Sequence, residues 1–88
     1  MSEIYRDATG KAVALGIAGA TNATAKFFRN GVQVGANATV QNTPSGYVAL
    51  VPYAITAHDG PFIIQWTYKV EGNFYTKDYA HEVVSPVV

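Results

Sequence analysis

The sequence predicts an all-β protein, an antiparallel β-sandwich of about seven short strands. Three observations carry that prediction. Residues 62–83 alternate apolar and polar side chains along two adjoining runs, the period of strands with one buried face. Gly, Asn and Pro punctuate the chain at short intervals, as at Asn30-Gly31, Pro44-Ser45-Gly46 and Asp59-Gly60-Pro61. No heptad, solenoid repeat or long helical period interrupts this pattern. A closed barrel is the alternative, but it would normally include a helix.

The elements follow in order. Ile4–Ala8 reads as a short edge strand ended by Thr9-Gly10. From Lys11 to Ala18, Val13, Leu15 and Ile17 alternate with Ala and Gly, so the second face of this strand is small rather than polar. Gly19-Ala20-Thr21-Asn22 reads as a loop. In Ala23–Arg29, Ala25 and Phe27 alternate with Thr24, Lys26 and Phe28. Asn30-Gly31 then signals a hairpin, because both residues tolerate positive φ. Val32-Gln33-Val34 is its short partner. Gly35–Gln41 offers a further weak strand, with Ala36, Ala38 and Val40 on one face, before a turn over Asn42–Gly46. Tyr47–Pro52 places Tyr47, Ala49 and Val51 on one face and Val48 and Leu50 on the other. Tyr53–Gly60 is amphipathic but short for a helix and reads as a crossover loop.

The last hairpin is the most legible part. A turn centred on Gly72-Asn73 would set Val70 opposite Tyr75, Tyr68 opposite Lys77, Trp66 opposite Tyr79 and Phe62 opposite Val83. Those residues share one face, with Trp66, Tyr68, Tyr75 and Tyr79 building the core. Lys69, Thr76, Thr67, Asp78, Gln65 and Glu82 occupy the other face. Ser85-Pro86-Val87-Val88 is a stop, since Pro86 cannot donate to a ladder.

At 88 residues the chain is one domain, 1–88, with no room for a second. The apolar fraction is 49% and the charged fraction 14%, against a usual charged share of about 25%. That balance argues against disorder and suggests more apolar surface than one small core hides, which favours association with another protein. Six basic and six acidic residues cancel without clustering, which argues against nucleic acid or anionic membrane as partner. There is no Cys, hence no disulfide or thiolate metal site. No signal peptide or membrane-spanning run is evident, so synthesis and folding in a cytosol are expected. Asn22-Ala23-Thr24 and Asn37-Ala38-Thr39 match the glycosylation sequon, which means little without secretion.

The order of landmarks resembles an immunoglobulin-like domain over almost the whole chain. Val13, Leu15 and Ile17 look like its early apolar strand, Phe27 like its buried aromatic, and Asn30-Gly31 like the turn that follows. Asp59, Gly60, Phe62 and Ile64 are similar to the pattern before its penultimate strand, compressed by a residue. Ile17 and Ile64 stand where antibody-type domains place cysteines, and Phe62 lacks the hydroxyl of a tyrosine corner. The resemblance therefore implies a disulfide-free version of the fold, typical of prokaryotic and viral proteins. Tyr5-Arg6-Asp7-Ala8-Thr9-Gly10, residues 25–31, residues 59–66 and Tyr75-Thr76-Lys77-Asp78 resemble small virion proteins of tailed bacteriophages. Such proteins decorate or cement capsids, or sit on tails and baseplates. The implied location is the virion surface after synthesis in a host cytoplasm. The chain opens at Met1 and closes after one domain, which favours a free-standing subunit over a fibre fragment.

No catalytic site, cofactor or metal is expected. His58 and Asp59 are adjacent, but neighbouring loop residues point apart, and Asp59 reads as a cap on turn amides. His81 stands alone on the aromatic face opposite Ile64 and lacks the cluster a metal requires. Asp7, Asp59 and Asp78 lack the spacing of a calcium loop. No phosphate loop or nucleophile elbow occurs. The function expected is therefore binding. Tyr5, Phe28, Lys26 and Tyr53 are the candidate contact residues, since aromatics on rigid strands anchor another protein and equally stack on sugars. The expected partners are a major capsid or tail protein, a symmetric copy of the chain itself, or a host-surface glycan gripped by loops such as 19–22 and 42–46.

Overall fold

Eight strands and one helical turn occupy residues 2–85, the part of the chain described by the computed structural model. They are β1 (Ser2–Tyr5), β2 (Ala12–Ala14), β3 (Thr21–Arg29), β4 (Val32–Gln33), β5 (Val40–Thr43), β6 (Gly46–Leu50), α1 (Tyr53–Thr56), β7 (Gly60–Val70) and β8 (Asn73–Val84). They form a five-stranded sheet, β1-β8-β7-β3-β4, and a three-stranded sheet, β2-β6-β5. All neighbours are antiparallel except β1 and β8, which run parallel with Tyr5 beside Val84.

The two sheets share one core because their inward positions are the apolar ones. Ala25 and Phe27 of β3, Phe62, Ile64, Trp66 and Tyr68 of β7 and Val83 of β8 meet Val13 of β2 and Ala49 of β6. Ile4 and Ile55 close the core at one end. Phe27 and Phe62 pack at 6.0 Å between ring centroids, tilted by 46°. An aromatic pair of this kind adds about 0.5–1.5 kcal/mol beyond its buried area.

α1 is a helical turn set between the sheets' ends, where the sequence suggests only a loop. Burial of Ile55 and Thr56 explains why this short segment folds. The Thr56 hydroxyl donates to the Ala8 carbonyl at 3.0 Å, and the Asp7 amide donates to the Thr56 carbonyl at 2.9 Å. Arg29 donates to the carbonyls of Ile55 and His58 at 3.2 and 3.1 Å. Carbonyls that α1 leaves unpaired are thus met by a side chain from β3.

Several local expectations need correction. The strand count rises to eight because the weak stretch after Gly35 does pair, but only from Val40, and it takes in Asn42 and Thr43. β2 stops at Ala14 rather than Ala18; Gly16 lies at φ 69, which ends the extended run, while Leu15 stays buried. Thr21 and Asn22 belong to β3, not to a loop, and a register shift between Thr21 and Thr24 absorbs Asn22 at φ 52. β1 ends at Tyr5, and its parallel pairing breaks the all-antiparallel expectation. Of the expected stop, Ser85 follows the end of β8, and Pro86–Val88 lie outside the described residues.

The last hairpin turns one residue earlier than expected. Glu71 and Gly72, at φ 50 and 84, form the two-residue loop, and Val70 pairs with Asn73. Tyr68 therefore faces Tyr75, Trp66 faces Lys77, Ile64 faces Tyr79 and Phe62 faces His81. Two positive φ values suit the right-handed twist of the strands, and Gly-Asn is a commoner bearer of them than Glu-Gly. Every pair has slipped by two residues, which leaves each side chain on its expected face. Burial is another matter: Tyr79 is only partly buried and Tyr75 is exposed, so neither completes the core with Trp66 and Tyr68.

Candidate functional site

Three of the four contact candidates, Tyr5, Lys26 and Phe28, lie on one surface, the outer face of the five-stranded sheet. The alternation that buries Ile4, Ala25 and Phe27 turns their neighbours outward. Register then arranges this face in rows. Phe28, Ile63 and Ala80 lie side by side across β3, β7 and β8. Lys26, Gln65 and Asp78 form the next row, and Thr24, Thr67 and Thr76 the one after. The hydroxyls of Thr67 and Thr76 are 3.3 Å apart. Toward the other end stand Pro61, Glu82 and Glu3, then Val84 and Tyr5.

Phe28 is half-buried by its neighbours, while Lys26 is exposed and Tyr5 is 61% exposed. Tyr5 and Phe28 are separated by three strand intervals across the sheet and four residues along it, roughly 19 Å, so they belong to one face without touching. Ile63 lies beside Phe28 in its row and was not among the sequence candidates. It was legible in principle: between Pro61 and Lys69, every second residue of β7 faces outward, and Ile63 is the aliphatic residue in that otherwise polar or proline series.

Tyr53 stands apart, on α1, at the end of the sheets where β1 and β8 finish. It is 59% exposed, and its hydroxyl donates to Asp7 Oδ1 at 3.0 Å. That hydrogen bond to the carboxylate pushes the Tyr53 hydroxyl pKa above its ordinary value. Nearby, Arg6 Nη1 lies 3.6 Å from Asp59, and the Ser85 hydroxyl donates to Asp59 at 2.6 Å. Asp59 therefore joins the ends of β1 and β8 instead of capping its own turn. These charges are half-exposed, so each pair adds little stability; their effect is to set the position of Tyr53 beside β1.

His81 lies against Phe62, with ring centroids 5.4 Å apart and planes 20° from parallel. Partial burial lowers its pKa, and its Nδ1 is buried without a hydrogen-bond partner. Among the described residues no group of three His, Cys, Asp or Glu side chains is placed to hold a metal ion.

The structure brings together the two loops named for ligand contact. Residues 15–21, Asn42 and residues 44–47 line an open cleft of about 530 Å³ beside the β5–β6 turn. Tyr47, Asn42 and Ser45 contribute its ring and polar groups. The cleft offers stacking and hydrogen bonding, with no charged side chain in its wall.

Other exposed apolar side chains were missed: Val32 on β4 and Phe74 on β8. Phe74 lies under the Lys69 ammonium, 5.5 Å from its ring centroid, in a cation–π contact. No protein-family model matches the chain, and no curated protein is significantly similar to it in sequence.

Proposed function

We propose that this protein is an immunoglobulin-like structural subunit of a tailed-bacteriophage particle, a capsid decoration or cement protein that binds assembled shells and transforms no substrate. The observation that carries this reading is the exposure of large apolar side chains on strands and on α1. Tyr5, Val32, Tyr53, Phe74 and Tyr75 all reach solvent in a domain of this size. Such side chains are anchors for a protein partner, and strands hold them at little entropic cost. Tyr5 and Tyr53 flank one end of the molecule, where the Arg6–Asp59 and Tyr53–Asp7 contacts hold the surface in place.

The topology supports the immunoglobulin-like part of the reading. β2, β6 and β5 on one sheet and β8, β7, β3 and β4 on the other follow the connectivity expected of that fold, with β1 added beside the last strand. A subunit that binds the assembled shell alone stabilises it by mass action. Mass spectrometry and electron microscopy of purified particles test the proposal. The expected result is this chain at stoichiometric copy number on the head. Density on the tail would move the same module to a tail or baseplate, and its absence from particles would end the proposal.

A second reading is adhesion to a host-surface glycan or protein. It is favoured by the cleft between residues 15–21 and 42–47. Cell and glycan binding by wild type, set against Tyr47→Ala, separates it from decoration: loss of cell binding with capsid binding retained assigns the cleft to adhesion.

A further inference from the structure

We infer that the outer face of the five-stranded sheet pairs with the same face of a second copy of this chain, about a twofold axis lying along β7. The argument is one of register. In each of three successive rows, β7 carries the central residue, and β3 and β8 carry residues equally far to either side. A twofold axis along β7 exchanges those two flanks. It sets Lys26 of one copy over Asp78 of the other, twice. It sets the Phe28 ring over the Ala80 methyl, twice, large against small. Ile63 meets its own counterpart on the axis.

The charges are placed for this and are otherwise unused. Lys26 and Asp78 are both exposed, and neither takes part in the ion pairs Arg6 makes with Asp7 and Asp59. On one molecule they stand two strand intervals apart, roughly 10 Å. Face to face, sheets about 10 Å apart let their side chains interdigitate, and the two can meet. Glu82, one row beyond Ala80, falls over the uncharged Asn30-Gly31 turn of the second copy, so no like charges are brought together there. Lys69 leans off the axis onto Phe74. Aligned sheets pack at about −30°, which an axis roughly 15° from β7 provides.

An unrelated partner would not require the pattern on β3 to be the complement of that on β8. A face about 19 by 26 Å, four strand intervals by eight residues, belongs to the smaller interfaces, so a weak dimer with a dissociation constant on the order of micromolar or higher is expected. The inference stands without the virion proposal and deepens it: a dimer in solution says nothing of particles, and a particle location says nothing of this face.

Sedimentation equilibrium of the full chain is the test, with circular dichroism confirming that each variant folds. Wild type should show a reversible dimer. K26E and D78K alone should each dissociate at least tenfold more readily, since each places like charges together twice. An equimolar mixture of the two should recover the dimer, because both contacts then pair opposite charges, and the double variant should recover it alone. Ile63→Arg should be monomeric. A monomeric wild type up to about millimolar concentration, or a dimer indifferent to the charge swaps, would overturn the inference.

Discussion

The two ends of the β7–β8 hairpin share an alternation but differ in fate. At its base Phe62, Ile64 and Trp66 are at most 1% exposed, and Val83 is 1% exposed. At its tip Phe74 is 65% exposed and Tyr75 48%. The strands pair over their whole length, from Gly60–Val83 to Val70–Asn73, so hydrogen bonding does not distinguish the ends. What differs is the cover. β7 and β8 are 11 and 12 residues long, whereas β2, β5 and β6 are 3, 4 and 5. Cover reaches along β7 as far as Tyr68, which is 3% exposed, but leaves the inward-facing Tyr75 and Lys77 of β8 open. Phe74, beside Lys69, belongs to the outer face, which the smaller sheet does not cover at all. Tyr75 turns to its cross-strand neighbour instead and stacks on Tyr68 at 5.8 Å.

Substitutions at the two ends should therefore differ by several-fold in cost. Trp66→Ala removes the largest fully buried side chain and should cost about 3–5 kcal/mol, enough to leave much of a small domain unfolded; urea denaturation measures it. A loss below about 1 kcal/mol would mean that the base is no better packed than the tip. Gly72→Ala tests the turn that sets the tip. At φ 84 a Cβ is strained although nothing crowds it, and a loss of about 1 kcal/mol is expected. No loss would show that the loop relaxes and that the register is held by the base alone.

The base should also respond to pH. His81 binds a proton less readily folded than unfolded because it is partly buried beside Phe62. Unfolding then takes up a proton as the medium becomes acid, so stability present above about pH 6.5, the unfolded value, is lost as pH falls below it. His81→Gln should remove that component, and the stability difference between the two proteins should be flat above pH 7 and change below. A difference independent of pH would mean that His81 is as readily protonated in the fold as outside it. The smallest effect belongs to the tip's own ring. Phe74→Ser should alter stability by no more than about 0.5 kcal/mol, measured by thermal melting, because the ring is mostly exposed.

The contact candidates show how far local reading extends. Lys26 and Phe28 could be assigned to one face from alternation on β3 alone, and the structure keeps them there. That Tyr5 joins the same face depended on β1 pairing with β8, an edge contact that alternation does not specify in either partner or direction. Tyr53 was expected on a loop and lies on α1, whose formation depends on Ile55 and Thr56 filling the open end of the core. The cleft near Tyr47 was legible as two loops but not as a cavity, since strand connectivity alone brings residues 15–21 beside 42–47.

By itself the amino-acid order determined which side chains face which way, because a period of two is a property of each strand and survives a slip of two residues. The absence of cysteine and the balanced charge were equally its own. Only the folded molecule decided how far along each strand an inward side chain is covered, which edge β1 occupies, and which outward residues share a row. Those depend on the lengths and partners of elements distant in the chain, and no local pattern carries them.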